Sequence, residues 1–460
     1  MSASNAEWVA RSLAHGWQPC TQMHDHQGGG EAPIPLIPIR KAEGVWLEDY
    51  DGRRYLDGVS SWWTNIFGHR HPHIVASLKQ QLDELDHVIF AGFTHEPAIE
   101  LAERLCKLVP DGLDRCFLAD NGSAAVEVAL KMSFHYWQNV GKPDKKRYIA
   151  LTNGYHGETL GALAVGHTGL YRDTYAPLLM QPIYVSSPDC YERAQGESWE
   201  DHTRRRFAEM ELALERHAHE VSAVIVEPLV QCAGSMRMYH AVYLSMLREA
   251  CDRHGVHLIC DEIAVGFGRT GKMFASEWAR ITPDFMCLSK GLTGGTLPLA
   301  CVMTREEIYE AFFAEHRLGK AFLHSHSYSG NPIACRAALA TLDVFEQEDW
   351  MGRVNLLGQY LWSATASLRS HPHVADVRQQ GLILAVELAK NPTTKKSFPA
   401  SDRRGLRAYR HALNAHKDFG VLLRPLGDVI YFMPPYVIEP REVEAMAKIA
   451  IDSINVATGE

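Results

Sequence analysis

The chain has 460 residues, of which 46% are hydrophobic and 22% charged, with a formal net charge of −9. That balance belongs to a globular protein with room for a large core and more than one domain; it excludes a disordered chain and offers no basic excess for nucleic acid or an anionic membrane surface. The longest apolar runs, such as SAVIVEPLV from Ser222 to Val230, meet a charge well short of the roughly 18 residues of a membrane span.

At the start of the chain, Glu7 and Arg11 stand where a signal segment would be apolar, so a cytoplasmic protein is expected. LEDYDGRRYLDG, from Leu47 to Gly58, predicts two strands about a D-G turn. From about Arg115 to Thr304, the runs RCFLA, RYIALT, PIYV, SAVIVE, VHLICDE, FMCLSK and LACVMT alternate with helix-length segments. This is the alternation of a mainly parallel sheet covered by helices, with ligands expected where strands end. One helix follows DNGS, with Ala125, Val128, Ala129 and Met132 on one face. After about Asn331 the texture changes to longer helices and hairpin-like strands, ending in a helix from Glu439. The expected fold is α/β: a mainly parallel large domain over 76–335, and a smaller α+β domain built from both termini, 1–75 and 336–460. Residues 1–75 also carry a segment of the active site.

Several strand ends carry chemistry. Gly122 and Ser123 open a helix directly after a strand, where free backbone N–H groups and the helix dipole suit a phosphate; the same pattern also serves as an ordinary helix cap. Tyr155 and His156 follow another strand, and an aromatic there can stack on a planar ring. Glu227 ends AVIVE, and is either a buried ion-pair partner or a site residue. Asp261 ends HLICD, and Lys290 follows FMCLS before a glycine-rich turn. A bare carboxylate and a bare amine ending apolar strands call for a shared partner. Pyridoxal phosphate satisfies all of these features, since it requires a lysine for its Schiff base, a carboxylate at its ring nitrogen, a phosphate cradle and a stacking face. The histidine groups at 24–26, 69–73 and 324–326 lack third and fourth ligands at a recognised spacing, so no metal is expected. The ten cysteines show no C-x-x-C pattern and read as reduced, mostly buried thiols.

In this order, LADNGSAAVEVA, NGYHGET, IVEPLVQCAGSMRMYH, LICDEIAVGFGRTGKMFA and LSKGLTGG resemble the class III pyridoxal-phosphate aminotransferases of fold type I, over almost the whole chain. DGVSSWWTNIFGHRHP, HVIFAGFTHEPAIEL, GSMRMYH and LLRPLGDVIYFMPPY are similar to the branch of that family serving biotin biosynthesis. The resemblance implies Lys290 as the Schiff-base lysine, Asp261 at the ring nitrogen, Tyr155 on the ring and beside the substrate, and Gly122 with Ser123 at the phosphate. It also implies a homodimer with shared active sites, in which Ser327 of HSHSYSGNP reaches the phosphate held by the other subunit. Trp62 and Trp63 would line the substrate chain, Arg424 would bind its carboxylate, and Tyr431 would complete that wall. Two departures stand out. Cys20 in WQPCT occupies the place of a family tyrosine on the donor side, and HSHSY replaces a glycine-proline-threonine pattern.

The implied reaction converts 8-amino-7-oxononanoate to 7,8-diaminononanoate with S-adenosylmethionine as amino donor. The alternatives are the same acceptor with lysine as donor, or an ω-aminotransferase working on diamines or β-amino acids with pyruvate. A catalytically silent pyridoxal-phosphate protein would lack the lysine or the carboxylate, and both are present.

Overall fold

A computed structural model describes residues 4–28 and 33–459. The chain divides into two compact units, one of His73–Met351 and one combining Met1–Pro72 with Gly352–Glu460.

The larger unit is organised by short apolar strands: β1 (Arg115–Ala119), β2 (Arg147–Leu151), β3 (Ile183–Val185), β4 (Val221–Val226), β5 (His257–Asp261), β6 (Phe285–Leu288) and β7 (Ala300–Thr304). Every position of β4 through β7 is buried, the pattern of strands covered on both faces. Across the sheet the order is β1-β7-β6-β5-β4-β2-β3. β7 pairs antiparallel with both β1 and β6, while the pairings from β6 across to β3 are parallel. β1 to β6 therefore all point their carboxyl ends to one edge, and that edge collects the loops that carry chemistry. Helix α1 (Gly122–Asn139) leaves β1 and buries Ala124, Ala125, Val128, Ala129 and Met132 among Ile225, Ile259, Phe285 and Val302 of the sheet.

The helix Pro332–Gln347 stays with this unit although the sequence changes texture near Asn331. Its small-residue face, Ala334, Ala337 and Ala338, is buried. Asp343 on it accepts a 2.7 Å hydrogen bond from Arg104 of the helix Glu96–Leu108. The unit boundaries consequently fall at 72/73 and 351/352, against the 75/76 and 335/336 expected from the sequence.

In the smaller unit, strands Trp46–Asp49 and Arg54–Asp57 form the antiparallel hairpin about Gly52, whose φ is +88°. Asp49 closes the turn by accepting the N–H groups of Asp51 and Arg53 at 3.1 and 2.9 Å. Strand Phe419–Leu422 adds in parallel to Arg54–Asp57, bringing Leu422 opposite Asp57. A second sheet joins Val374–Gln380, Ile383–Leu388 and Val429–Phe432. The ten cysteines are free thiols, most of them buried. Among the described residues no helix is long and apolar enough to cross a membrane.

Candidate active site

Strand register decides which side chains meet in the larger unit. Cys260 pairs with Val226 and Asp261 with Cys287, so Glu227 follows β4 alongside Asp261, and Lys290 lies three residues beyond Cys287. Asp261 is 4% exposed. One of its oxygens lies 2.8 Å from Nδ1 of the buried His156, and the other accepts the Ile263 N–H at 3.1 Å. His156 is thus part of the site through Asp261, a role its adjacency to Tyr155 only hinted at. Glu227 accepts the Tyr155 N–H at 2.9 Å and the Cys232 N–H at 3.0 Å. Burial pushes its carboxyl up to about 7, with His156 opposing and Asp261 adding to the shift. Lys290 sits in the left-handed region at φ +46°, an uncommon place for a side-chain-bearing residue and a strain that folded surroundings must hold. Burial lowers the pKa of its amine, opposed by Cys232 and by the carboxylates of Asp261 and Glu227.

Asn121, rather than Ser123, caps α1 by accepting the Ala124 N–H at 3.1 Å. The first-turn amides of Gly122 and Ser123 lie beyond the reach of helical hydrogen bonding and suit an anion. Ser123 Oγ accepts the Glu158 N–H at 3.0 Å. Gly157, at φ +122°, makes this closure possible: a Cβ there would lie 2.0 Å from Ser123 Oγ. Glu127 accepts Thr159 Oγ1, Gly161 N–H and Ala162 N–H at 2.6, 2.7 and 3.1 Å. The loop carrying Tyr155 is therefore tied both to Glu227 and to α1. Nothing in the sequence singled out Glu127, whose partners lie more than thirty positions away.

A second constellation occupies the smaller unit. The parallel pairing of Asp57 with Leu422 sends SSWW and the segment holding Arg424 from the same sheet end. Ser60, Ser61, Trp62 and Trp63 then wind one left-handed turn, with φ of 49°, 45°, 79° and 71°. Each such residue costs about 1–2 kcal/mol. Asp57, fully buried, offsets this by accepting Ser61 N–H at 2.9 Å, Ser61 Oγ at 2.6 Å and Val59 N–H at 3.3 Å. His69 Nε2 donates to the same carboxylate at 2.9 Å while its Nδ1 accepts from Asn65 at 3.1 Å. Ser60 Oγ donates to Met433 O at 2.7 Å.

This turn separates the tryptophans. Trp63 and Tyr431 are buried together, with Trp63 Nε1 donating to the Tyr431 hydroxyl at 3.0 Å. Trp62 is 40% exposed, and the Arg424 guanidinium carbon stands 4.0 Å over its ring. Arg424 is half-buried, and no carboxylate of the described residues pairs with it. Ser327 is exposed on a turn of the larger unit, and Cys20 is exposed at φ +54°. His26 bonds Thr21 and the Ile34 carbonyl, and His73 bonds Asp343. Among the described residues no three His, Cys, Asp or Glu side chains stand together as a metal site.

The Aminotransferase class-III family model matches residues 28–454. The chain belongs to the class III aminotransferases. It is 43% identical over 443 residues to the adenosylmethionine-8-amino-7-oxononanoate aminotransferase of Helicobacter pylori, covering 95% of each protein. Among solved structures, the adenosylmethionine-8-amino-7-oxononanoate aminotransferase of Methanocaldococcus jannaschii is similar at 33% identity and a TM-score of 0.90, over 98% of this chain and 99% of that one. An omega transaminase from Pseudomonas jessenii, solved in complex with PMP, is similar at 28% identity and a TM-score of 0.91, over 98% of each. The cofactor of this family is pyridoxal 5′-phosphate, and the residues here fit it. A desolvated carboxylate braced by an imidazole suits a protonated ring nitrogen, the Lys290 amine suits the aldehyde, and the glycine-closed helix turn suits the phosphate.

The raised pKa of Glu227 has a consequence for stability. Between its ordinary 4.5 and about 7, the native state keeps a proton that the unfolded chain has released. The group's stabilisation is therefore full below the ordinary value and is lost as pH rises through the folded one. Glu227→Gln should flatten the fall of the urea midpoint of cofactor-stripped protein between about pH 5 and pH 8. The share of Glu262, also pushed up to about 7 by burial, should remain. Parallel pH profiles for the two proteins would show that Glu227 titrates normally.

Proposed function

We propose that the protein transfers an amino group from S-adenosylmethionine to 8-amino-7-oxononanoate, yielding 7,8-diaminononanoate for biotin synthesis. Arg424 carries this reading: a half-buried guanidinium, stacked on an indole and unmatched by any carboxylate of the described residues, suits an acceptor whose carboxylate lies at the far end of an apolar chain. The neighbouring omega transaminase shares the fold to a TM-score of 0.91, so the fold alone does not select the substrate.

Pyridoxal phosphate, when bound, supplies an aldehyde for the amine and a ring that accepts the electron pair released with the α-proton. Asp261, oriented by His156, holds the proton on the ring nitrogen. Lys290 anchors the cofactor and then, as an amine of lowered pKa, takes the α-proton and returns it. Tyr155 covers the ring face, and the amides of Gly122 and Ser123 hold the phosphate at the positive end of α1. Trp62 lines the acceptor chain, while Trp63 and Tyr431 brace that wall through their mutual hydrogen bond. In this reading the enzyme is a cytoplasmic homodimer in which Ser327, exposed on its own chain, reaches the partner's phosphate. Lysine as donor is the second reading, favoured by Cys20, which removes a phenol hydroxyl from the donor side. Supplying 8-amino-7-oxononanoate with S-adenosylmethionine, lysine or alanine and measuring the diamine decides between them; no diamine with any donor would overturn the assignment.

Wild-type protein should be yellow and should retain cofactor on the Lys290 peptide after borohydride, as read by mass spectrometry. Lys290→Ala should lose both signatures and at least about 10³-fold in activity. Because S-adenosylmethionine also carries a carboxylate, which Arg424 would pair with in its turn, Arg424→Ala should weaken both half-reactions in single-turnover spectra, by about 2–5 kcal/mol, or roughly 30- to several-thousand-fold. Unchanged half-reactions would remove the carboxylate assignment. Light scattering should give the mass of two chains at micromolar concentration, and an active monomer would contradict the shared site.

A further inference from the structure

The segment His324-Ser325-His326 has no part in the chemistry above, yet both of its imidazoles reach the element that carries the phosphate turn. His326 Nδ1 lies 3.2 Å from Oδ2 of Asp120, the residue between β1 and the capping Asn121. His324 Nδ1 lies 3.0 Å from Lys131 Nζ, on α1 itself. Aromatic contacts reinforce the attachment: His324 stacks on Phe322 at 5.9 Å, and Phe322 meets Phe117 of β1 edge-on at 5.4 Å.

His326 also opens the turn that displays Ser327. Its N–H donates to Ser329 Oγ at 3.1 Å, and its carbonyl accepts the Ser329 N–H at 3.2 Å. His95, whose Nδ1 accepts the Ala98 N–H, donates through Nε2 to the Gly330 carbonyl at 2.7 Å. The turn is thereby fixed at both ends, with Ser327 exposed between them. One imidazole therefore joins two turns: the one that opens α1 and the one that carries Ser327.

Charge adds a second reason for this join. Asp120 stands two residues before Gly122, and its Oδ1 is buried with no hydrogen-bond partner among the described residues. A carboxylate there repels a phosphate dianion held at the Gly122–Ser123 turn unless a donor compensates it. His326 supplies that donor on Oδ2.

We propose that His326 is a positioning residue for the cofactor phosphates of both subunits: it compensates Asp120 beside its own chain's Gly122–Ser123 turn and fixes against that turn the Ser327 turn, which serves the partner's phosphate. This rests on the reading of that turn as the phosphate site. The HSHSY departure from the glycine-proline-threonine pattern thus serves, through His326, as a clamp.

The test uses full-length, cofactor-stripped protein titrated with pyridoxal phosphate and with pyridoxal, which lacks the phosphate. His326→Ala should weaken pyridoxal phosphate about tenfold and pyridoxal by less than about twofold, the size and selectivity of one lost charge-assisted contact. Adding Asp120→Asn to His326→Ala should restore most of the loss, because the uncompensated charge is gone. Asp120→Asn alone keeps an acceptor for His326 and should bind pyridoxal phosphate within about threefold of wild type; it carries the test should His326→Ala fail to fold. Equal weakening of both ligands, no weakening, absence of rescue, or a phosphate-selective loss in Asp120→Asn alone would overturn the proposal. A wild-type protein that does not prefer pyridoxal phosphate to pyridoxal would instead overturn the phosphate turn itself, and this inference with it.

Discussion

Desolvation of one carboxylate governs the larger unit. Asp261 ends a strand buried at every position, where an unpaired negative charge would be costly, and the surrounding groups are arranged to share it. His156 holds one oxygen and the Ile263 N–H the other. Glu227, placed beside it by the parallel register, keeps its proton to higher pH chiefly because it is buried, with His156 opposing the shift and the Asp261 charge adding to it. The same dry surroundings lower the pKa of Lys290. A carboxylate suited to a pyridinium and an amine suited to proton transfer thus follow from where β5 and β6 end.

The smaller unit depends on a different device. Four successive residues in the left-handed region are unfavourable on their own, and the chain adopts them because Asp57 collects the donors that the turn presents. The result is directional: consecutive tryptophans acquire opposite fates, Trp63 bonded inward to Tyr431 and Trp62 left with a face for Arg424. An extended SSWW segment would also place neighbouring side chains on opposite sides, but without fixing the plane on which a guanidinium can stack.

Both devices rest on parallel strand pairs. Asp261 opposite Cys287 and Asp57 opposite Leu422 are each a register fact that delivers two remote loops to one place. Side chains then refine the placement, as Glu127 does for the loop after Tyr155. Glycine matters where that refinement is tight: at Gly157 any side chain would enter the space of Ser123.

Much of this was legible in the sequence because it depends on local signals. Apolar runs that stop on Asp261 and at Lys290, a glycine-serine helix start after β1, and the D-G hairpin were all readable from period and residue type. The readings of Gly122–Ser123 as a phosphate turn, of Asp261 as a ring-nitrogen carboxylate and of Lys290 as the Schiff-base lysine were drawn from what each residue can do at a strand end. Other features depend on residues far apart in the chain and have no local signature. The pairing of His156 with Asp261, the hold of Glu127 on Thr159, the collection of donors by Asp57, and the reach of His326 to Asp120 arise only when strand register sets which loops are neighbours. Histidines that looked alike in HRHPH and HSH were separated in the same way: His69 joins Asp57, His73 joins Asp343, and His326 joins Asp120. Sequence alone determined which chemical groups stand at the strand ends. Tertiary structure decided which carboxylate meets which imidazole, because a buried charge is costly without a partner and register determines which partner is within reach.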